Sequence, residues 1–140
     1  MKAVIDTNVF VDACLGRVRC QQVIEMCFTD RLTPLMGTAL FLEFESVLSR
    51  DFVDRKSRLS VQERNELLDV FLSRCLWTPI YFGWRPNLPD EADNHLIELA
   101  VAGHAQRIVT SNISDVGQGE MRFEQFAVCT PEQLMQEFQP

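Results

Sequence analysis

The chain has no run approaching the ~20 consecutive apolar residues that a membrane-spanning helix needs, which argues against a membrane protein. It is short of positive charge: 13 Lys and Arg against 20 Asp and Glu leave a net charge of −7. That balance excludes a general nucleic-acid coat protein, because phosphate binding is mostly the work of Lys and Arg. It leaves room for a nucleic-acid enzyme whose acids gather around a metal. The five cysteines are odd in number and include no C-x-x-C pair, which excludes a disulfide framework and a structural zinc site. They read as small buried hydrophobes. Met1-Lys2 leads into a short apolar run that Asp6 interrupts, so no signal peptide is expected and the chain reads as cytosolic. Neither histidine, His95 nor His104, has a partner at metal-ligand spacing, and both read as surface or helix-capping residues. No repeat, low-complexity tract or linker divides the 140 residues, so residues 1–140 are expected to form one domain.

Strand-like and helix-like segments alternate. Ala3–Ile5 and Val9–Val11 flank a polar triplet, Asp6-Thr7-Asn8, which suggests a strand running out into a turn before a helix over Cys20–Thr29. "RLTPLMG" follows as a second short strand. "TALFLEFESVLSR" then places Leu40, Phe41, Phe44, Val47 and Leu48 at the three-and-four spacing of a helix face. Ser60 and Glu63 form a capping-box signature. Pro79 demotes "LWTPIYF" towards an edge strand. Asp90 is a candidate N-cap for the next helix, and Gly103 a candidate C′ residue ending it. "RIVTSN" and "FAVCT" read as strands, and Thr130-Pro131-Glu132-Gln133 as a helix start. The alternation predicts an α/β three-layer sandwich, with a central, mostly parallel sheet flanked by helices.

In such sheets ligands bind outside the carboxyl ends of the strands. Asp6 ends the first strand, and Asn112 and Asp115 follow "RIVT". Glu43 lies early in the helix after the second strand, and Asp93 at the start of the helix after the third. Four carboxylates gathered at one edge repel one another unless a cation enters. Their hard oxygens suit Mg²⁺ or Mn²⁺ rather than zinc. Ions so held, one or two, would polarise a phosphodiester and make hydroxide available near neutral pH. The chemistry implied is metal-dependent phosphodiester hydrolysis.

"VIDTNVFV", "LFLEFESVLSR", "DEADNHLIELAVAG" and "RIVTSNISDV" resemble, in order and spacing, the four signature segments of PIN-domain ribonucleases, above all those described as toxins of toxin–antitoxin pairs. The resemblance runs from Val4 to about Val128. It implies a PIN-like sandwich and a Mg²⁺- or Mn²⁺-dependent endoribonuclease acting on RNA. Asp6, Glu43 and Asp93 match the family's catalytic, metal-binding acids. Asn112 stands where many relatives carry Asp, with Asp115 three residues on as the accompanying acid. Thr7, Asn8 and Thr110 would orient the metal ligands. An antitoxin partner and a homodimer are further expectations from the resemblance.

Glu43 is preferred over Glu45 because the apolar pattern turns Glu45 outward. Arg50, Arg55, Lys56 and Arg58 make the candidate basic patch for an RNA backbone, although a solvated helix connection explains them equally well. Trp77, Tyr81, Phe82 and Trp84 read as packing residues. The competing reading is a PIN-like module that binds RNA or a protein and no longer cuts. Its motive is Asn112 together with the acidic net charge. An aspartyl-phosphatase reading is poorer, since Asn8 stands where that chemistry wants a second Asp.

Overall fold

The computed structural model describes residues 1–80, 94–112 and 126–138. The elements run β1 (Lys2–Ile5), α1 (Thr7–Cys14), α2 (Val18–Phe28), β2 (Thr33–Met36), α3 (Thr38–Leu48), α4 (Asp51–Lys56), α5 (Val61–Arg74) and β3 (Leu76–Trp77). They continue with α6 (Asn94–Gly103), β4 (Arg107–Val109), β5 (Ala127–Cys129) and α7 (Pro131–Glu137). The five strands form one sheet in the order β3-β2-β1-β4-β5, and every pairing is parallel. The chain steps from β1 outward to β2 and β3, then returns to place β4 on the other side of β1. The order therefore reverses between β1 and β4, and the crevice beyond their carboxyl ends is the switch point where such sheets hold ligands. The α/β sandwich read from the alternation is the fold observed.

Local chemistry accounts for most boundaries. Both halves of the Ser60–Glu63 capping box form at the start of α5, and Thr130 with Gln133 builds the same device at α7 behind Pro131. The strand holding Leu76 and Trp77 lies at the sheet edge, ahead of Pro79, a residue that cannot donate to a ladder. Asp90 lies outside the described residues.

Two expectations are corrected. Val9–Val11 is helical: β1 stops at Ile5, Asp6 takes the extended backbone of an N-cap, and α1 begins at Thr7. The three apolar residues face the core, because Val9, Phe10 and Val11 are all buried and the second half of "AVIDTNVFVDA" packs as a helix. Gly103 is the last residue of α6 rather than the one beyond it. His104 takes the left-handed position, with φ 57°, and Ala105 N–H donates to Ala100 across 2.9 Å to close the turn. Glycine is needed at 103 for a different reason: a Cβ there would run into Leu35 of β2.

The core that carries the site centres on three rings. Phe10 of α1, Phe44 of α3 and Phe71 of α5 meet with centroids 5.5–5.7 Å apart, and each is at most 1% exposed. They lock α1 and α3 together, and those helices carry Thr7, Asn8 and Glu43. Arg64 is buried and bonds Asp54 at 2.9 Å and the Leu59 carbonyl at 3.1 Å, tying α5 to α4. No described helix is long and apolar enough to cross a membrane.

Candidate metal centre

Asp6 occupies the switch point. Its backbone N–H donates to the Val109 carbonyl of β4 at 2.9 Å, which sets its side chain beside the end of that strand. The carboxylate is buried, and neutral donors surround it. Thr110 donates to Oδ2 at 2.8 Å, Asn8 Nδ2 donates to the same oxygen at 3.3 Å, and the Thr7 hydroxyl lies 3.5 Å from Oδ1. Asn8 is held from both ends of its amide, since Oδ1 accepts from Ser111 N–H at 3.1 Å and Nδ2 also reaches Thr110 Oγ1 at 3.2 Å. Burial pushes the Asp6 carboxyl above its ordinary pKa; the Thr110 hydrogen bond opposes this, and the neighbouring Glu43 charge adds to it.

Glu43 comes from α3 and shares the Thr7 hydroxyl, which lies 3.2 Å from its Oε1. Its Oε2 accepts from His95 Nε2 of α6 at 2.6 Å. That hydrogen bond pulls the Glu43 carboxyl below its ordinary pKa, partial burial works against it, and the histidine charge and the Thr7 bond assist. Glu45 is exposed, as the helix pattern required.

Asp6, Thr7, Asn8, Glu43, Arg50 and Asn112 line one cleft of ≈ 300 Å³. Asn112 reaches it through a backbone N–H that donates to Thr110 Oγ1 at 3.1 Å. Asp93 and Asp115 lie outside the described residues; α6 begins at Asn94, directly after Asp93. Of the candidate basic patch, Arg50 alone lines this cleft. Arg55 and Lys56 are exposed on the last turn of α4. Arg58 lies against Gly16, beside a separate hollow lined by Cys14 and Leu59.

Two residues at the cleft escaped the sequence reading. His95, expected from the sequence at the surface or at a helix cap, is mostly buried and pairs with Glu43, joining helices far apart in the chain. Asp12 also lines the cleft and accepts from Ser111 Oγ at 3.1 Å. Its signal was the i, i+4 spacing from Asn8 on one face of α1.

The donor set fits a hard divalent cation. Asp6 is a buried carboxylate set close to a second one, and no Lys or Arg forms an ion pair with it among the described residues. Asp6, Glu43 and Asp12 are the acids among the described residues that line the cleft, and the described residues hold no group of three side chains that could ligate a metal ion.

A buried carboxylate thus stands at the switch point of a parallel sheet, close to a second one from α3. The family model for the PIN domain matches residues 2–114, and the chain belongs to that family, whose members are generally nucleases. Among solved structures the chain is similar to one in the crystal structure of VapBC2 from Rickettsia felis bound to a DNA fragment from their promoter. The TM-score is 0.56 at 18% identity, over 93% of this chain and 98% of that one, a likeness of fold. No curated protein matches the chain.

Proposed function

We propose that the protein is a divalent-metal-dependent endoribonuclease that hydrolyses RNA phosphodiester bonds. One observation carries the reading: Asp6, just past β1, and Glu43, from α3, converge on the Thr7 hydroxyl in a cleft at the sheet's switch point. Family membership supports it.

Asp6, Glu43, Asp93 and Asp115 would hold Mg²⁺ or Mn²⁺, with Asn112 beside them. One or two such ions would supply, when bound, Lewis acidity towards the scissile phosphate and a water of lowered pKa. Thr110 and Asn8 keep the Asp6 carboxylate fixed by bonding Oδ2, and Thr7 bonds the face that Asp6 and Glu43 share. Arg50 lines the cleft and would neutralise a substrate phosphate. Arg55, Lys56 and Arg58 would extend RNA contact beyond the cleft.

The fold is like that of a chain in a VapBC2 complex, in keeping with a toxin role and an antitoxin as partner; a homodimer is the assembly expected from the family resemblance. The test is a Mn²⁺ titration by calorimetry of the wild type and Asp93→Asn, paired with RNA cleavage with and without chelator. Binding lost in the variant, with cleavage that tracks metal, upholds the reading. Binding without turnover over a broad RNA panel favours the module that no longer cuts. Metal-independent cleavage overturns it.

A further inference from the structure

His95 sits in the first turn of α6 and Glu43 in the middle of α3, so their contact depends on the packing of two helices that approach each other at the cleft. The carboxylate oxygens of Glu43 are acceptors only, so the 2.6 Å contact requires the proton on His95 Nε2. With Thr7 on Oε1 and His95 on Oε2, each oxygen is gripped by one donor, and the remaining lone pairs stay available on the cleft side. Glutamate on a helix carries three side-chain torsions, and Glu43 is only half-buried, so backbone packing alone leaves its head group free to rotate. The histidine side chain is itself mostly buried, with 15% exposed, and its Nδ1 has no hydrogen-bond partner among the described residues. Its one close polar contact there is with Glu43, and its charge is also felt at Asp6. A mostly buried ring that meets a cleft carboxylate through Nε2 at 2.6 Å points to a job at that carboxylate.

We infer that His95 is a positioning residue: its Nε2–H fixes the Glu43 carboxylate in the orientation that receives the divalent cation. The inference rests on the metal reading above. Hydrogen-bond partners behind a metal ligand typically change affinity about 10–100-fold when removed. Such a role depends on a donor at the Nε2 position and not on an imidazole as such. Glutamine carries its amide nitrogen at about that reach, whereas asparagine carries its own nearer the Nδ1 position.

The experiment is calorimetric Mn²⁺ titration of the full chain as wild type, His95→Gln, His95→Asn and His95→Leu, with the metal-free thermal midpoint of each recorded. His95→Leu and His95→Asn are expected to weaken Mn²⁺ binding about tenfold or more. His95→Gln is expected to bind within about threefold of wild type, a rescue that a packing role would not produce. Equal weakening in the Gln and Leu variants assigns His95 to packing and overturns the inference. Wild-type or tighter affinity in His95→Leu overturns it too, tighter binding meaning that the ring competes with the metal. Both results leave the metal reading intact. A wild-type chain that binds no Mn²⁺ overturns the metal reading and this inference with it.

Discussion

The Thr110 hydroxyl donates to Asp6 Oδ2 across 2.8 Å, joining the end of β4 to the end of β1 over 104 positions of sequence. Thr110 is fully buried, and the same oxygen accepts from Asn8 and from the Asn112 backbone. One hydroxyl therefore organises the wall of the cleft that holds Asp6.

Thr110→Val keeps the shape and removes that hydroxyl. A buried carboxylate loses its shortest hydrogen bond, and two donors lose an acceptor. The expected loss is about 1–3 kcal/mol of stability by denaturant titration, with weaker Mn²⁺ binding. A variant as stable as wild type would show that water replaces the hydroxyl freely.

Asp6 should reveal itself in the pH dependence of stability. Its folded pKa is raised above the ordinary 3.8, mainly by burial. The folded state therefore binds the proton more tightly than the unfolded chain, and stability falls as pH rises from about 3.8 towards the folded value. That penalty persists at neutral pH. Asp6→Asn, free of the charge, should equal or exceed wild type in metal-free buffer at pH 7, with the difference shrinking in acid. Glu43 has the opposite sign: its lowered pKa contributes stability above 4.5 that is lost as pH falls through the folded value. A deficit in Asp6→Asn that is the same at every pH would contradict the assignment.

Metal should reverse that order. A cation that binds only the folded chain stabilises it by about 2.7 kcal/mol at a hundred times its Kd. Differential scanning calorimetry should show wild type gaining thermal midpoint with Mn²⁺, a chelator removing the gain, and Asp6→Asn and Asp93→Asn gaining little.

Arg50 and Arg58 separate the cleft from the rest of the basic segment. Arg50→Ala should raise KM for RNA and reduce the slope of log K against log salt by about one, the signature of one lost phosphate contact. Arg58→Ala, altered at a separate hollow, should change both less. Equal effects would mean that RNA lies across the whole segment.

Phe71 tests the frame. Its ring contacts Phe10 and Phe44, neighbours in sequence to the cleft-bearing parts of α1 and α3. Phe71→Ala should cost about 3–5 kcal/mol in equilibrium unfolding. A loss below about 1 kcal/mol would mean that the neighbouring helices close the cavity.

The elements legible in the chain were those whose cause is local. The capping boxes at Ser60 and Thr130, the Leu40–Leu48 face of α3 and the edge position of β3 follow from neighbours within four residues or from a single proline. The placing of Asp6 and Asn112 on one edge followed from the sheet rule once strands and helices were seen to alternate. Local signals misled where one composition suits two structures. Val9–Val11 suits a strand or a buried helix, and burial inside α1 decided for the helix. At the end of α6 glycine favours the C′ position, but the close approach of Leu35 required it one residue earlier and left His104 to take the positive φ. By itself the sequence determined the chemistry available, hard oxygen ligands spaced along an alternating α/β chain with little positive charge to balance them. Tertiary structure alone decided which groups meet: Glu43 with His95 through the packing of α3 and α6, Ser111 with Asp12 and Asn8, and Arg50 rather than Arg58 on the cleft. Those contacts depend on how separate helices pack against one sheet, and no spacing along the chain encodes that distance.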